Sequence, residues 1–138
     1  MSRVVLDASA LLALLNDEAG AQELTSDILK EATISTVNLA EVQTKLVREG
    51  ADAGEAWEFT LAPIFNPEPF TVDQARIAGT LVKDTRPLGL SLGDRACLAL
   101  GIMLKAPVYT ADRHWKHLKL GVRIHVIRLK NHKKPWDD

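Results

Sequence analysis

The sequence predicts an α/β fold, a three-layer α/β/α sandwich with a mainly parallel central sheet. Three observations lead there. Short β-branched apolar runs alternate with longer stretches of helical periodicity, which implies parallel pairing through right-handed helical crossovers. The first strand candidate, Arg3-Val4-Val5-Leu6, is apolar at consecutive positions, as a strand buried on both faces must be. Leu92 to Lys105 is apolar nearly all round, which suits a central buried helix.

The elements follow in order. Asp7-Ala8-Ser9 ends the first strand, and Ala10 to Leu15 turns helical. Ala19 to Ala32 has helical spacing through Leu24, Ile28 and Leu29, and Thr33 to Val37 reads as the second strand. Asn38 to Arg48 is a helix with Leu39, Val42, Leu46 and Val47 on its apolar side, ended by Gly50. Asp52 to Leu61 is a further helix, with Trp57, Phe59 and Leu61 assigned to core packing, and Pro63 closes it. Ile64 to Val72 contains Pro67 and Pro69, so a strand there belongs at a sheet edge, since proline cannot donate to a ladder. Val72 to Lys83 is helical, Arg86 to Gly89 a loop, and Ala106-Pro107 ends the buried helix. Val108-Tyr109-Thr110 is a strand, a short helix runs through Trp115 and Leu118, and Val122 to Leu129 alternates as a last strand.

The 138 residues fit one domain, read as 1–130 with a polar tail over 131–138. A hydrophobic share of 46% is enough for a real core and excludes a disordered chain. Net charge is −1, but it is unevenly placed. Most acids precede Asp73, whereas Arg113, Lys116, Lys119, Arg123, Arg128, Lys130, Lys133 and Lys134 face only Asp137 and Asp138 in the last stretch. Such asymmetry gives either a basic face for phosphates or a solvated surface. The single cysteine, Cys97, sits in an apolar run and reads as a buried, inert thiol in a reducing compartment. No signal peptide and no membrane-spanning run are read, so the expected location is cytoplasmic.

Four acids stand at corresponding places in this pattern. Asp7 directly follows the first strand and Asp112 the strand at Val108 to Thr110. Glu41 lies one turn into the helix after the second strand, and Asp94 begins the buried helix. In open α/β sheets ligands bind beyond the carboxyl ends of the strands, where the strand order reverses. All four acids are therefore expected at one edge. Clustered carboxylates repel one another and call for a cation or a proton. Each acid also has a purely structural reading. Asn38 to Glu41 and Ser91 to Asp94 have capping-box spacing, and Asp112 could cap the helix through Trp115. Asp7 is harder to explain so, because an acid after a wholly apolar strand is costly unless solvated or paired.

Four segments carry a family resemblance. Val5-Leu6-Asp7-Ala8-Ser9-Ala10-Leu11-Leu12-Ala13 resembles the opening of PIN domains, and Ser35-Thr36-Val37-Asn38-Leu39-Ala40-Glu41-Val42 looks like their second motif. The run from Leu90 to Leu100, containing Gly93-Asp94-Arg95, resembles the third, and Tyr109-Thr110-Ala111-Asp112-Arg113 the fourth. Order and compact length resemble the VapC toxins of type II toxin–antitoxin pairs. The resemblance implies a metal-dependent endoribonuclease in which Asp7, Glu41, Asp94 and Asp112 hold Mg²⁺ or Mn²⁺. It implies that Ser9, Asn38 and Thr110 orient carboxylates or metal-bound water. It further implies hydrolysis of RNA, often tRNA or ribosomal RNA, to a 5′-phosphate and a 3′-hydroxyl, a cognate antitoxin and a homodimer. Arg95, beside Asp94, either meets phosphate or forms a surface ion pair.

Other readings compete. His114 and His117, spaced i, i+3, could act as a general acid–base pair in metal-free RNA cleavage. A haloacid dehalogenase-type phosphatase would want an acid two residues after Asp7, where Ser9 stands. A receiver domain would want an acidic pair and a late lysine that the chain does not clearly offer. A non-catalytic PIN-like module that binds RNA or protein is the non-enzyme alternative.

Overall fold

The computed structural model describes residues 3–127. Five strands form one sheet: β1 (Val4–Leu6), β2 (Ala32–Ser35), β3 (Asn66–Glu68), β4 (Val108–Thr110) and β5 (Ile124–Val126), in the order β3-β2-β1-β4-β5. Every pairing is parallel, with Leu6 opposite Ile34 on one side and Tyr109 on the other. The α/β sandwich expected from the alternation is thus the one formed. Helices α1 (Ala8–Leu15), α2 (Ser26–Lys30), α3 (Thr36–Arg48), α4 (Ala53–Leu61), α5 (Val72–Thr80), α6 (Val82–Thr85) and α7 (Leu92–Leu104) connect the strands.

The pleat divides the core in two. Val4 and Leu6 face a cluster with Ala10, Leu11, Ile34, Leu39 and Val42, which brings in α1 and α3. Val5, pointing the other way, packs with Ala78, Leu98, Leu100, Val108 and Trp115, from α5, α7, β4 and the turn after β4. Both faces of β1 are therefore covered, which explains its unbroken apolar run. α7 is buried continuously from Ala96 to Gly101, and Cys97 is buried with it. A Cβ at Gly101 would press on the Val108 side chain, so this glycine permits the close approach of α7 to β4.

Several expectations are corrected. The helix foreseen over Ala19 to Ala32 is broken: Gly20 sits at φ +93°, a 3₁₀ turn covers Ala21–Glu23, and Thr25 caps a short α2. Ala32 instead joins β2, which ends at Ser35 because the Ser35 side chain caps α3. The helix after it therefore begins at Thr36, not Asn38. Trp57 and Phe59 are not core residues; they are 41% and 47% exposed, because α4 turns Ala56 and Thr60 inward. Pro67 lies in β3, an edge strand, as its missing N–H requires. The last strand is shorter than expected, and Arg128 and Leu129, with the tail 131–138, lie outside the described residues.

Candidate active site

The chain runs outward from β1 to β2 and β3, then returns to the other side of β1 at β4. The order therefore reverses between β1 and β4, and their carboxyl ends open a crevice there. The Asp7 amide donates to the Tyr109 carbonyl at 3.1 Å, locking the two strand ends together. A cleft of about 290 Å³ occupies this point, and Asp7, Glu41, Asp94 and Asp112 all line it. The four sequence-expected acids are brought to one place by four different elements.

Asp7 is the N-cap of α1 and is only 3% exposed. Its Oδ1 accepts from the Ala10 amide and the Ser9 hydroxyl, each at 2.8 Å. Its Oδ2 accepts from the Thr110 hydroxyl at 2.6 Å. Thr110 Oγ1 in turn accepts from the Asp112 amide at 3.1 Å, and Ser9 Oγ from the Ala111 amide at 2.9 Å. Two hydroxyls thus tie the ends of β1 and β4 to one carboxylate. Burial raises the Asp7 carboxyl to about 6, against the lowering effect of Thr110, Ala10 and Ser9, and Asp94 repels it further.

Glu41 lies on α3, half-buried. Because Ser35 is the cap, Asn38 and Glu41 are not a capping box; Asn38 Nδ2 instead donates to Glu41 Oε1 at 2.7 Å and to the Gly93 carbonyl at 3.0 Å. Asn38 therefore joins α3 to the start of α7 and aims Glu41. Gly93 completes the arrangement, since a Cβ there would collide with the Glu41 carboxylate. Burial raises the Glu41 pKa, the Asn38 bond lowers it, and Asp94 raises it again.

Asp94 does form a capping box: its Oδ2 accepts from the Ser91 amide at 3.0 Å, while its own amide donates to Ser91 Oγ at 3.2 Å. Capping and lining the cleft are thus combined in one side chain. Asp112 caps the 3₁₀ turn Arg113–His117, with Oδ1 accepting from the His114 amide at 2.9 Å. Cys97 lies beneath the site, and its thiol is held well above the ordinary range by burial and by Asp7, Asp94 and Glu41, which keeps it inert.

Some expected residues fall elsewhere. Arg95 forms no ion pair among the described residues; its Nη1 donates to the Ala78 carbonyl at 2.9 Å, tying α7 to α5. His114 and His117 do not converge. His114 Nδ1 sits 3.1 Å from Asp112 Oδ1, whereas His117 borders a separate hollow with Asp84 and Lys119. Three residues at the cleft escaped sequence reasoning. Lys45 and Trp115 line it, and Gly93 makes room for Glu41. Lys45 was detectable in principle, because it stands one helical turn after Glu41 on the same face.

The donor set is wholly oxygen, which suits a hard divalent ion. Among the described residues no three His, Cys, Asp or Glu side chains close into a cage around one point. A hard divalent ion there would be held by one or two of these carboxylates, with water completing its shell. The Asn38 Oδ1 atom supports this. It is a buried acceptor, on the residue that holds Glu41, with no partner among the described residues.

A parallel α/β sheet with an acidic, all-oxygen cleft at its switch point defines the class of site. The chain belongs to the PIN domain family, whose model matches residues 4–120. No curated protein matches it. Among solved structures, it is similar to a toxin–antitoxin complex from Klebsiella pneumoniae, at 16% identity and TM-score 0.71, over 90% of this chain and 97% of that one. VapC20 of Mycobacterium tuberculosis, described as a sarcin-ricin loop cleaving toxin, is 22% identical with TM-score 0.70, over 87% of this chain and 98% of that one. VapBC2 from Rickettsia felis, bound to a DNA fragment from its promoter, is 16% identical with TM-score 0.70, over 89% of this chain and 97% of that one. At these identities the likeness is one of fold.

Proposed function

We propose that this chain is a metal-dependent endoribonuclease and the toxin of a type II toxin–antitoxin pair, acting in the cytoplasm. The observation that carries the reading is the convergence of Asp7, Glu41, Asp94 and Asp112 on one switch-point cleft. Capping explains each of three acids singly, but it gives no reason for all four to share a cavity. Nor does it explain a carboxyl buried as deeply as Asp7.

In this reading the four carboxylates hold Mg²⁺ or Mn²⁺. The ion supplies a Lewis acid that makes water more acidic and offsets charge on the scissile phosphate. The residues of the chain do the positioning. Ser9 and Thr110 fix the Asp7 carboxylate by donating to its two oxygens, and Asn38 fixes Glu41. Water would attack phosphorus as the P–O3′ bond breaks, its proton passing to a carboxylate of the set and the departing 3′-oxygen taking a proton from solvent, so that the ends are a 5′-phosphate and a 3′-hydroxyl. The RNA is tRNA or ribosomal RNA, as the family resemblance implies. An antitoxin and a second copy of the chain are the expected partners, and the exposed Trp57 and Phe59 on α4 offer apolar surface for one of them.

The test is cleavage of total RNA by purified protein, with ends mapped by sequencing. Cleavage should vanish in a divalent chelator, return with excess Mg²⁺ or Mn²⁺, and leave 5′-phosphates. Undiminished cleavage in chelator yielding cyclic phosphates would reject the reading. RNA binding without cleavage under all metal conditions would replace it by the non-catalytic module.

A further inference from the structure

We propose that Lys45 and Arg48 on α3 form a phosphate-tracking edge that leads a single-stranded RNA backbone into the acidic cleft. This rests on the ribonuclease reading and names the path its substrate takes. The four-acid cleft does not end at Glu41. A second hollow of about 460 Å³ adjoins it along the outer face of α3, lined by Val37, Ala40, Glu41, Thr44, Lys45 and Arg48. Glu41 and Lys45 border both hollows, so the two adjoin at these side chains.

Electrostatics gives that continuity a direction. A polyanion meeting four carboxylates is repelled, and the whole chain at net charge −1 offers no general attraction. Seating a nucleic-acid strand at the cleft therefore needs local cations. Lys45 is the one basic side chain lining the cleft among the described residues, and Arg48 follows it one turn along α3. Both are exposed. Among the described residues Lys45 is held only by a 3.8 Å approach to Glu49, an exposed i, i+4 pair of the weak kind that a phosphate can displace. Arg48 has no ion pair among the described residues. The floor between them is small and neutral, and the Thr44 hydroxyl already donates to the Ala40 carbonyl at 2.7 Å. The groove thus offers two cations while its one hydroxyl proton is already committed, which suits backbone tracking. Arg113 and Lys116, exposed in the turn capped by Asp112, do not line the cleft.

The simpler role for Lys45 and Arg48 is to complement the carboxyl end of α3, where basic residues are favoured in any helix. The experiment separates the two. A fluorescein-labelled single-stranded RNA is bound to the full chain in chelator, so that cleavage is suppressed, across a KCl series. Lys45→Gln, Arg48→Gln and the double variant are compared with wild type, with Lys83→Gln on α6 as a surface control. Removing one cation that neutralises a phosphate should flatten the log–log salt slope by roughly 0.7, and the double variant by roughly 1.4. With Mg²⁺ added, KM should rise and kcat stay within about twofold, while Lys45→Arg should restore both. A double variant with a lowered melting temperature but an unchanged slope would return the residues to the helix terminus and overturn the proposal. A fall in kcat at unchanged KM would do so as well. Wild type that neither binds nor cuts RNA would reject the ribonuclease reading itself; wild type that binds, with slopes unchanged in the variants, would reject only this path.

Discussion

At the scale of single residues, Asp7 decides most. Burial lifts its carboxyl from an ordinary 3.8 to about 6, so the metal-free native state takes up a proton that the unfolded chain releases. The group contributes stability at low pH and loses it as pH rises through about 6. The loss accumulates from about pH 4, is complete above about pH 6 and totals roughly 3 kcal/mol at about 1.4 kcal/mol per pKa unit, of which a little under half falls above pH 5. Metal-free protein should therefore melt higher at pH 5 than at pH 8, and Asp7→Asn should flatten that trend while abolishing cleavage. Melting curves in chelator at the two pH values check this; a wild type that is steadily more stable at pH 8 would remove the charge burden assigned to Asp7. Thr110→Val probes the same network. It removes the donor to Asp7 Oδ2 and the acceptor of the Asp112 amide. We expect a cleavage loss of about 10–100-fold, typical for residues that orient metal ligands. The acid limb of the pH–rate profile should also move up, because the carboxylate loses its strongest lowering partner. Loss of stability with an unmoved profile would make Thr110 structural only.

At the scale of elements, helix starts build the site. Asp7, Asp94 and Asp112 each sit at or near the start of a helix or 3₁₀ turn, where amides satisfy part of the carboxylate. This is why the sequence offered capping and metal binding as rivals, while the fold lets one side chain both cap and line the cleft. The start of α3 was less legible. Asn38-Leu39-Ala40-Glu41 has capping-box spacing, but Ser35 three residues earlier makes the cap, and only the approach of α7 gives Asn38 its second partner, the Gly93 carbonyl. No local pattern encodes a bond across 55 residues. The break at Gly20 was similarly hidden, because helical periodicity through Leu24, Ile28 and Leu29 outweighed one glycine. Gly93→Ala tests whether this packing of α7 on α3 sets the site. The added methyl should displace the Glu41 carboxylate, a flexible end, so the fold should survive. Activity should fall at least about tenfold, by loss of ligand orientation. Full activity would show that the position of Glu41 is immaterial. Asp94→Asn retains an oxygen for the Ser91 amide, so it should cost at most about 1 kcal/mol in stability while cleavage collapses.

At the scale of the whole molecule, the sheet order β3-β2-β1-β4-β5 puts the reversal beside β1, and that single fact gathers the acids. The strands and the buried α7 were legible because double-sided burial leaves continuous apolar runs, and the acids because they follow those runs. The outer surface was not legible in the same way. Trp57 and Phe59 looked like core by composition, yet α4 packs through Ala56 and Thr60. Lys45 is a site residue only because α3 lies beside the cleft. An ion in that cleft binds only the folded chain, and so should stabilise it by about 2.7 kcal/mol at a hundredfold excess over its dissociation constant. The most direct measurement is calorimetric titration of Mg²⁺ and Mn²⁺ into chelator-treated protein, for wild type beside Asp7→Asn, with RNA cleavage assayed on the same samples. Saturable binding in wild type, its loss in Asp7→Asn, and cleavage that tracks metal occupancy are the expected result. Equal binding by both proteins, or wild-type cleavage that persists with no metal bound, would contradict the four-carboxylate metal site.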